Sequence, residues 1–189
     1  MKFSQINRVL ASEDGFMQIN PIYTQEAKAI KKALDQERII ILHNFLTTTF
    51  ANNLSIKQKS ENWKKEYVPD KYRRERAQQF RSNEITRFIR QITGIRKKIV
   101  SFAFRFGSGD YTLLNDAQPP ISIFVDLDLT KQWNSKWGGY TVLERNNEEP
   151  AIIPSKFNSL IIARDVREFV KYVNHDAGRS KRILIRTGS

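Results

Sequence analysis

The chain contains no cysteine and only two histidines, His43 and His175, among its 189 residues. Without cysteine there are no disulfides, no thiolate metal sites and no thiol nucleophile, which suits a reducing compartment. With two histidines in unrelated segments, a Ser-His-Asp triad would be a coincidence of the fold. No Gly-x-x-x-x-Gly-Lys loop is present, and Gly107-Ser108-Gly109 is a turn without the third glycine of a dinucleotide fingerprint. No apolar run reaches 18 residues, and Met1 to Arg8 has no apolar stretch of the kind a secretory leader needs. The expectation is a soluble intracellular protein.

What is present is apolar mass and positive charge. Apolar residues make up 40% of the chain, with 12 phenylalanines, enough for one domain with a full core over residues 1–189. The net charge is +12 and it is clustered. Residues 57–98 hold 14 Lys and Arg against five acids, a net +9 in under a quarter of the chain. Such a block sets up a long-range, salt-sensitive field that attracts polyanions.

Residues 1–98 read as a helical N-terminal part. Thr24 to Glu37 has Ala27, Ile30, Ala33 and Leu34 at helical spacing behind a Thr24 cap, and the β-branched run Arg38 to His43 reads as a short strand. Residues 50–66 are expected to be helical, Val68-Pro69-Asp70 to break the helix, and Lys71 to Thr93 to resume it with Ala77, Phe80, Ile85, Phe88, Ile89 and Ile92 inward, up to a stop at Gly94. From Ile99 the signal turns to strands: Ile99–Phe106, Tyr111–Leu114, Ile121–Leu129, Tyr140–Leu143, Ala151–Ile153, Leu160–Ala163, Glu168–Val173 and Lys181–Arg186. About eight short strands between Gly, Pro and Asn turns predict an antiparallel barrel or sandwich over 99–189.

Order and spacing within this region resemble the iron- and 2-oxoglutarate-dependent oxygenases. Phe106-Gly107-Ser108-Gly109-Asp110-Tyr111 leads into Leu113 to Ala117, where that family places its His-x-Asp pair after a glycine. Ile121 to Leu129, Trp133 and Trp137-Gly138-Gly139-Tyr140 are similar to its strand, Trp and Gly-Gly run. Ile153-Pro154 and Phe157 to Ile162 resemble the step before its second metal histidine. The resemblance implies an α+β protein, a double-stranded β-helix (a jelly-roll or cupin-like barrel) with N-terminal helices packed on one face. It also implies that the metal positions carry Asn115, Ala117 and Glu168 in place of His, Asp and His.

An iron oxygenase needs two neutral imidazoles and a carboxylate on one face of Fe(II). His43 lies in the early strand and reads as a structural histidine. His175, in the turn Asn174 to Gly178, is the one histidine that could be recruited, with Asp116 as carboxylate. Asp116 with Glu168 would instead make an oxygen-only site suited to Mg²⁺ or Mn²⁺. The resemblance places the oxoacid-binding cation at Arg182, with Arg179 and Arg186 as alternatives and Tyr111 beside the glycine turn. The leading expectation is a non-catalytic or atypical member that needs no cofactor. The alternative is an active Fe(II)/2-oxoglutarate dioxygenase with a rearranged site, acting on a protein or nucleic acid.

The basic segment interleaves Arg and Lys with Trp63, Tyr67, Tyr72, Phe80 and Phe88, the pairing that single-stranded nucleic acids use for backbone contact and base stacking. Lys64, Lys65, Lys71, Arg73, Arg74, Arg76, Arg96, Lys97 and Lys98 are the candidate contacts to RNA, DNA or an acidic protein, and a structural subunit of a ribonucleoprotein assembly is a second alternative that shares the electrostatics of nucleic-acid binding.

Overall fold

Asn20 caps the first helix by accepting a hydrogen bond from the Ile22 amide at 3.3 Å, and Pro21, whose missing N–H costs nothing in a first turn, opens α1 (Pro21–Gln25). The helix expected from Thr24 therefore begins earlier, and Thr24 sits inside α1 with its hydroxyl on the Pro21 carbonyl. Helix α2 (Ala27–Glu37) buries Ala27, Ile30 and Leu34 and ends on Arg38 in the left-handed region. Strand β1 (Ile39–His43) and helix α3 (Thr48–Lys59) follow. The computed structural model describes residues 17–113, 120–145 and 148–188.

The basic segment departs from expectation. Its middle is not helical: β2 (Lys64–Val68) and β3 (Tyr72–Phe80) form an antiparallel hairpin that pairs Lys64 with Arg76 and Val68 with Tyr72. The turn uses Asp70 at φ 56°, a conformation Asp tolerates better than most residues. Helix α4 (Asn83–Thr93) starts only after this hairpin, capped by Ser82, whose hydroxyl accepts from the Ile85 amide and donates to Gln18. Ile85, Phe88, Ile89 and Ile92 are buried as expected, and Gly94 ends the helix at φ 77°.

Strands β4 (Val100–Phe106), β5 (Tyr111–Thr112), β6 (Ile121–Asp128), β7 (Thr141–Glu144), β8 (Ala151–Ile153), β9 (Ser159–Val170) and β10 (Arg182–Gly188) complete the barrel. They pair antiparallel in the order β2-β3-β4-β10-β6-β9-β7-β8, with β1 on β9 and β5 on β3. The two strands expected at 160–163 and 168–173 are one. β9 pairs with β1 and β6 up to Val166, turns through Asp165 at φ 52°, and then pairs with β7 on the opposing sheet. This is the double-stranded β-helix with helices on one face.

Strand alternation divides the side chains between two environments. Ala103, Ile123, Val125, Leu127, Ile183 and Ile185 point outward onto the helices, in a core with Leu34, Phe45, Phe88 and Ile89. Their neighbours Phe102, Phe104, Phe106, Phe124 and Leu184 point into the barrel. The Trp-Gly-Gly run has a steric cause, because a Cβ on Gly138 would lie 2.3 Å from the Tyr172 carbonyl oxygen at φ 73°. Trp133 donates from Nε1 to the Gly138 carbonyl at 3.0 Å and fixes that approach. No described helix is long and apolar enough to cross a membrane.

Candidate functional site

The same alternation carries charge into the barrel. Asp126 and Asp128 on β6, Arg182 and Arg186 on β10, and Arg74 on β3 occupy inward positions of otherwise apolar or aromatic strands. Arg186 faces Asp126 in register and binds it bidentately, Nε to Oδ1 at 2.8 Å and Nη2 to Oδ2 at 2.7 Å. Its Nη1 donates to Glu168, and its guanidinium lies 5.1 Å from the centre of the Phe124 ring. Bidentate geometry between a fixed fork and a carboxylate is the strongest form such a pair takes. Asp126 is 0% exposed.

Arg182 is also 0% exposed. It donates from Nε and Nη2 to Asp128 Oδ2 at 3.2 and 3.1 Å, and from Nη1 to the Gly139 carbonyl. Toward the hairpin, Arg74 pairs with Glu66 at 3.1 Å and stacks over Tyr72 and Phe104, each 4.3 Å away. Arg76 pairs with the other Glu66 oxygen at 2.8 Å. The barrel interior thus alternates guanidinium, carboxylate and aromatic face from Glu66 to Asp128.

These neighbours set the ionisation. Burial alone would lower the pKa of Arg186, but the Asp126 and Glu168 carboxylates outweigh it and hold the pKa above the ordinary guanidinium value. Glu168 moves up, because burial opposes its charge more than Arg186 supports it, and its Oε2 is buried with no hydrogen-bond partner. A carboxyl whose folded pKa is raised contributes stability that is fully present below the unfolded pKa and lost as pH rises through the folded one. Relative to wild type, Glu168→Gln should therefore gain stability as pH rises from the ordinary carboxylate range to neutrality. Urea denaturation of both proteins at a series of pH values checks it.

The expected site residues are dispersed. Glu168 is the one position of the implied metal set that the structure describes, and it is ion-paired; Asn115, Asp116 and Ala117 lie outside the described residues. His175 is exposed in a 3-10 turn, Nδ1 2.9 Å from the Ser108 hydroxyl and Nε2 3.1 Å from the Tyr172 hydroxyl. His43 ends β1 with Nδ1 3.1 Å from Ser159 Oγ. Arg182 presents no free guanidinium to an oxoacid, Arg179 is exposed, and Tyr111 pairs with Arg73 between β5 and β3. Among the described residues no group of three His, Asp or Glu side chains is placed to hold a metal ion.

Asp126, Asp128 and Arg186 were not singled out as a unit from the sequence. The available signal was the pair of acids two apart inside the apolar run 121–129, since buried carboxylates demand partners.

The basic segment has its own asymmetry. Of its 14 cations, 13 are exposed and only Arg74 is half-buried, whereas of its five acids only Asp70 is exposed. Glu66 and Glu75 are spent on arginines, and Glu84 accepts the Gln18 and Ile19 amides. The surface is therefore more positive than the composition alone suggests.

Comparison with known proteins agrees with the barrel. Residues 57–187, more than half of the chain, match the family model described as oxoglutarate and iron-dependent oxygenase degradation C-term. The chain belongs to this family. The structure is similar to a Pseudomonas putida prolyl-4-hydroxylase (TM-score 0.69, 10% identity, 86% of this chain and 97% of that one). It is also similar to a Trichoplax adhaerens prolyl hydroxylase solved with a hypoxia inducible factor peptide fragment (TM-score 0.70, 15% identity, 89% and 90%). A 2OG-Fe(II) oxygenase family oxidoreductase from Burkholderia pseudomallei superposes at TM-score 0.64 with 12% identity over 86% and 90% of the chains. No curated protein sequence matches. At these identities the solved structures speak for the fold, and the family membership rests on the sequence model.

Proposed function

We propose that this member of the oxygenase family is non-catalytic and works by binding nucleic acid through the basic surface of residues 57–98. The observation that carries the first half is Arg186. A family catalyst would keep imidazole and carboxylate donors free on one face of Fe(II), and the inward carboxylates here are closed on a guanidinium. Glu168, on the position where the resemblance expects a histidine, serves that guanidinium. Arg182, on the position expected to hold an oxoacid carboxylate, is already paired with Asp128. The described residues do not fit iron or 2-oxoglutarate. A rearranged centre would need His175, whose two ring nitrogens already meet hydroxyls.

The second half rests on the 13 exposed cations, which supply the phosphate-neutralising term of affinity, and on exposed Tyr67 beside Lys65 and Arg73 on one face of the hairpin. Fluorescence anisotropy with labelled RNA and DNA tests it. Replacing Lys65, Lys71 and Lys97 with Glu should weaken binding at least tenfold near physiological salt, and each lost phosphate contact should lower the salt slope by about one. Unchanged binding, or a wild type that prefers an acidic polypeptide to either nucleic acid, would overturn it.

A further inference from the structure

The hairpin carries a feature that phosphate neutralisation alone does not require. Between β2, β3 and β4 lies a cleft of about 190 Å³ lined by Asn62, Lys64, Arg76, Ala77 and Phe102. Phe102 is half-buried on the inward face of β4, and the Arg76 guanidinium lies over its ring, 5.2 Å from the ring centre. Glu66 holds Arg76 in place through Nε at 2.8 Å, so the guanidinium is fixed before any ligand arrives. The β3 ladder slips between Arg76 and Gln79, a bulge that separates the two strands where the cleft forms.

Building on the nucleic-acid reading, we infer that this cleft is a base-binding subsite for single-stranded nucleic acid. It takes one unstacked base beside the Arg76 guanidinium and the Phe102 ring that it overlies, with Lys64 on the adjoining phosphate. Its volume is below that of pockets for drug-sized ligands and suits one planar group. A flat guanidinium and a phenyl ring are the two surfaces on which proteins stack exposed bases, and the Asn62 amide can both donate to and accept from a base edge. An acidic peptide would satisfy Lys64 and Arg76 but leave the aromatic wall unused. A duplex, with its bases stacked inside, cannot enter.

Anisotropy with a labelled single-stranded oligonucleotide, an abasic phosphodiester strand of equal length and a duplex of the same sequence tests the subsite. Wild type should bind the base-bearing strand at least fivefold tighter than the abasic one. Phe102→Leu should reduce it to the abasic level, a loss of about 5- to 150-fold, the fold-change that corresponds to removing one base stack. Asn62→Leu, which narrows the cleft from an exposed loop without touching the core, should act in the same direction and guards against a Phe102 variant that misfolds. Equal binding of base-bearing and abasic strands by wild type, or full retention of the base-bearing strand by both variants, overturns the subsite and leaves the polyanion surface standing. A wild type that binds none of the three probes overturns the nucleic-acid reading itself.

Discussion

Asp126→Asn is expected to destabilise the protein by about 3–5 kcal/mol, the range found when one member of a buried ion pair is removed and the other charge is left without compensation. Asp126 accepts two charge-assisted bonds from Arg186, and Glu168 supplies only a third donor's partner. The amide could accept one of those bonds but would turn its NH₂ toward the guanidinium. The loss should be specific to the imbalance rather than to the removal of polar atoms. In the triple variant Asp126→Leu, Arg186→Met, Glu168→Gln no buried charge is stranded, and apolar replacements of buried ion networks are commonly neutral or stabilising. Guanidinium denaturation of both variants checks the contrast. If the single and triple variants lose the same stability, Arg186 does not serve as the internal counter-ion of the barrel.

The second large effect is at Arg182. Arg182→Met keeps most of the side-chain volume and removes the donors to Asp128 and to the Gly139 carbonyl. It strands a carboxylate that is almost fully buried, where even the remaining contact, the Thr130 amide at 2.8 Å, satisfies only Oδ1. A loss of about 3–5 kcal/mol follows by the same physics. Pairing the change with Asp128→Leu should recover a substantial part of it. A residue kept only to greet a dissociable acid would behave differently: its replacement would spare stability and act on ligand binding alone. The denaturation midpoint of Arg182→Met distinguishes the two roles.

The sequence made the second half of the fold legible because its strands alternate apolar residues against turns of Gly, Pro and Asn. The hairpin at 64–80 was not legible. Tyr72-Arg73-Arg74-Glu75-Arg76-Ala77 has no apolar period of two, because the inward face of β3 meets a charged interior and so carries arginine where a strand normally carries an aliphatic residue. A charged segment beside helical spacing at 85–92 then reads as one long helix. The break at Asp165 was hidden likewise, since a single left-handed residue inside β9 leaves no mark in composition. At the site, Glu168 and Arg182 could be placed by spacing, but their partners lie 18 and 54 residues away along the chain. Pairing over such separations is a property of register, and register appears only when the sheet is assembled.

The basic surface shows the reverse relation. Its net charge was readable from composition, while the inward consumption of its acids was not. Glu66, Glu75 and Glu84 count against the charge in a tally and do little to it in space.

The most direct test of a barrel closed by its own ion pairs is an anaerobic calorimetric titration of the purified chain with 2-oxoglutarate in the presence of Fe(II). With Arg182 committed to Asp128, and Asp126 and Glu168 committed to Arg186, no saturable heat is expected at millimolar ligand. Saturable one-to-one binding of 2-oxoglutarate that depends on the metal would contradict it.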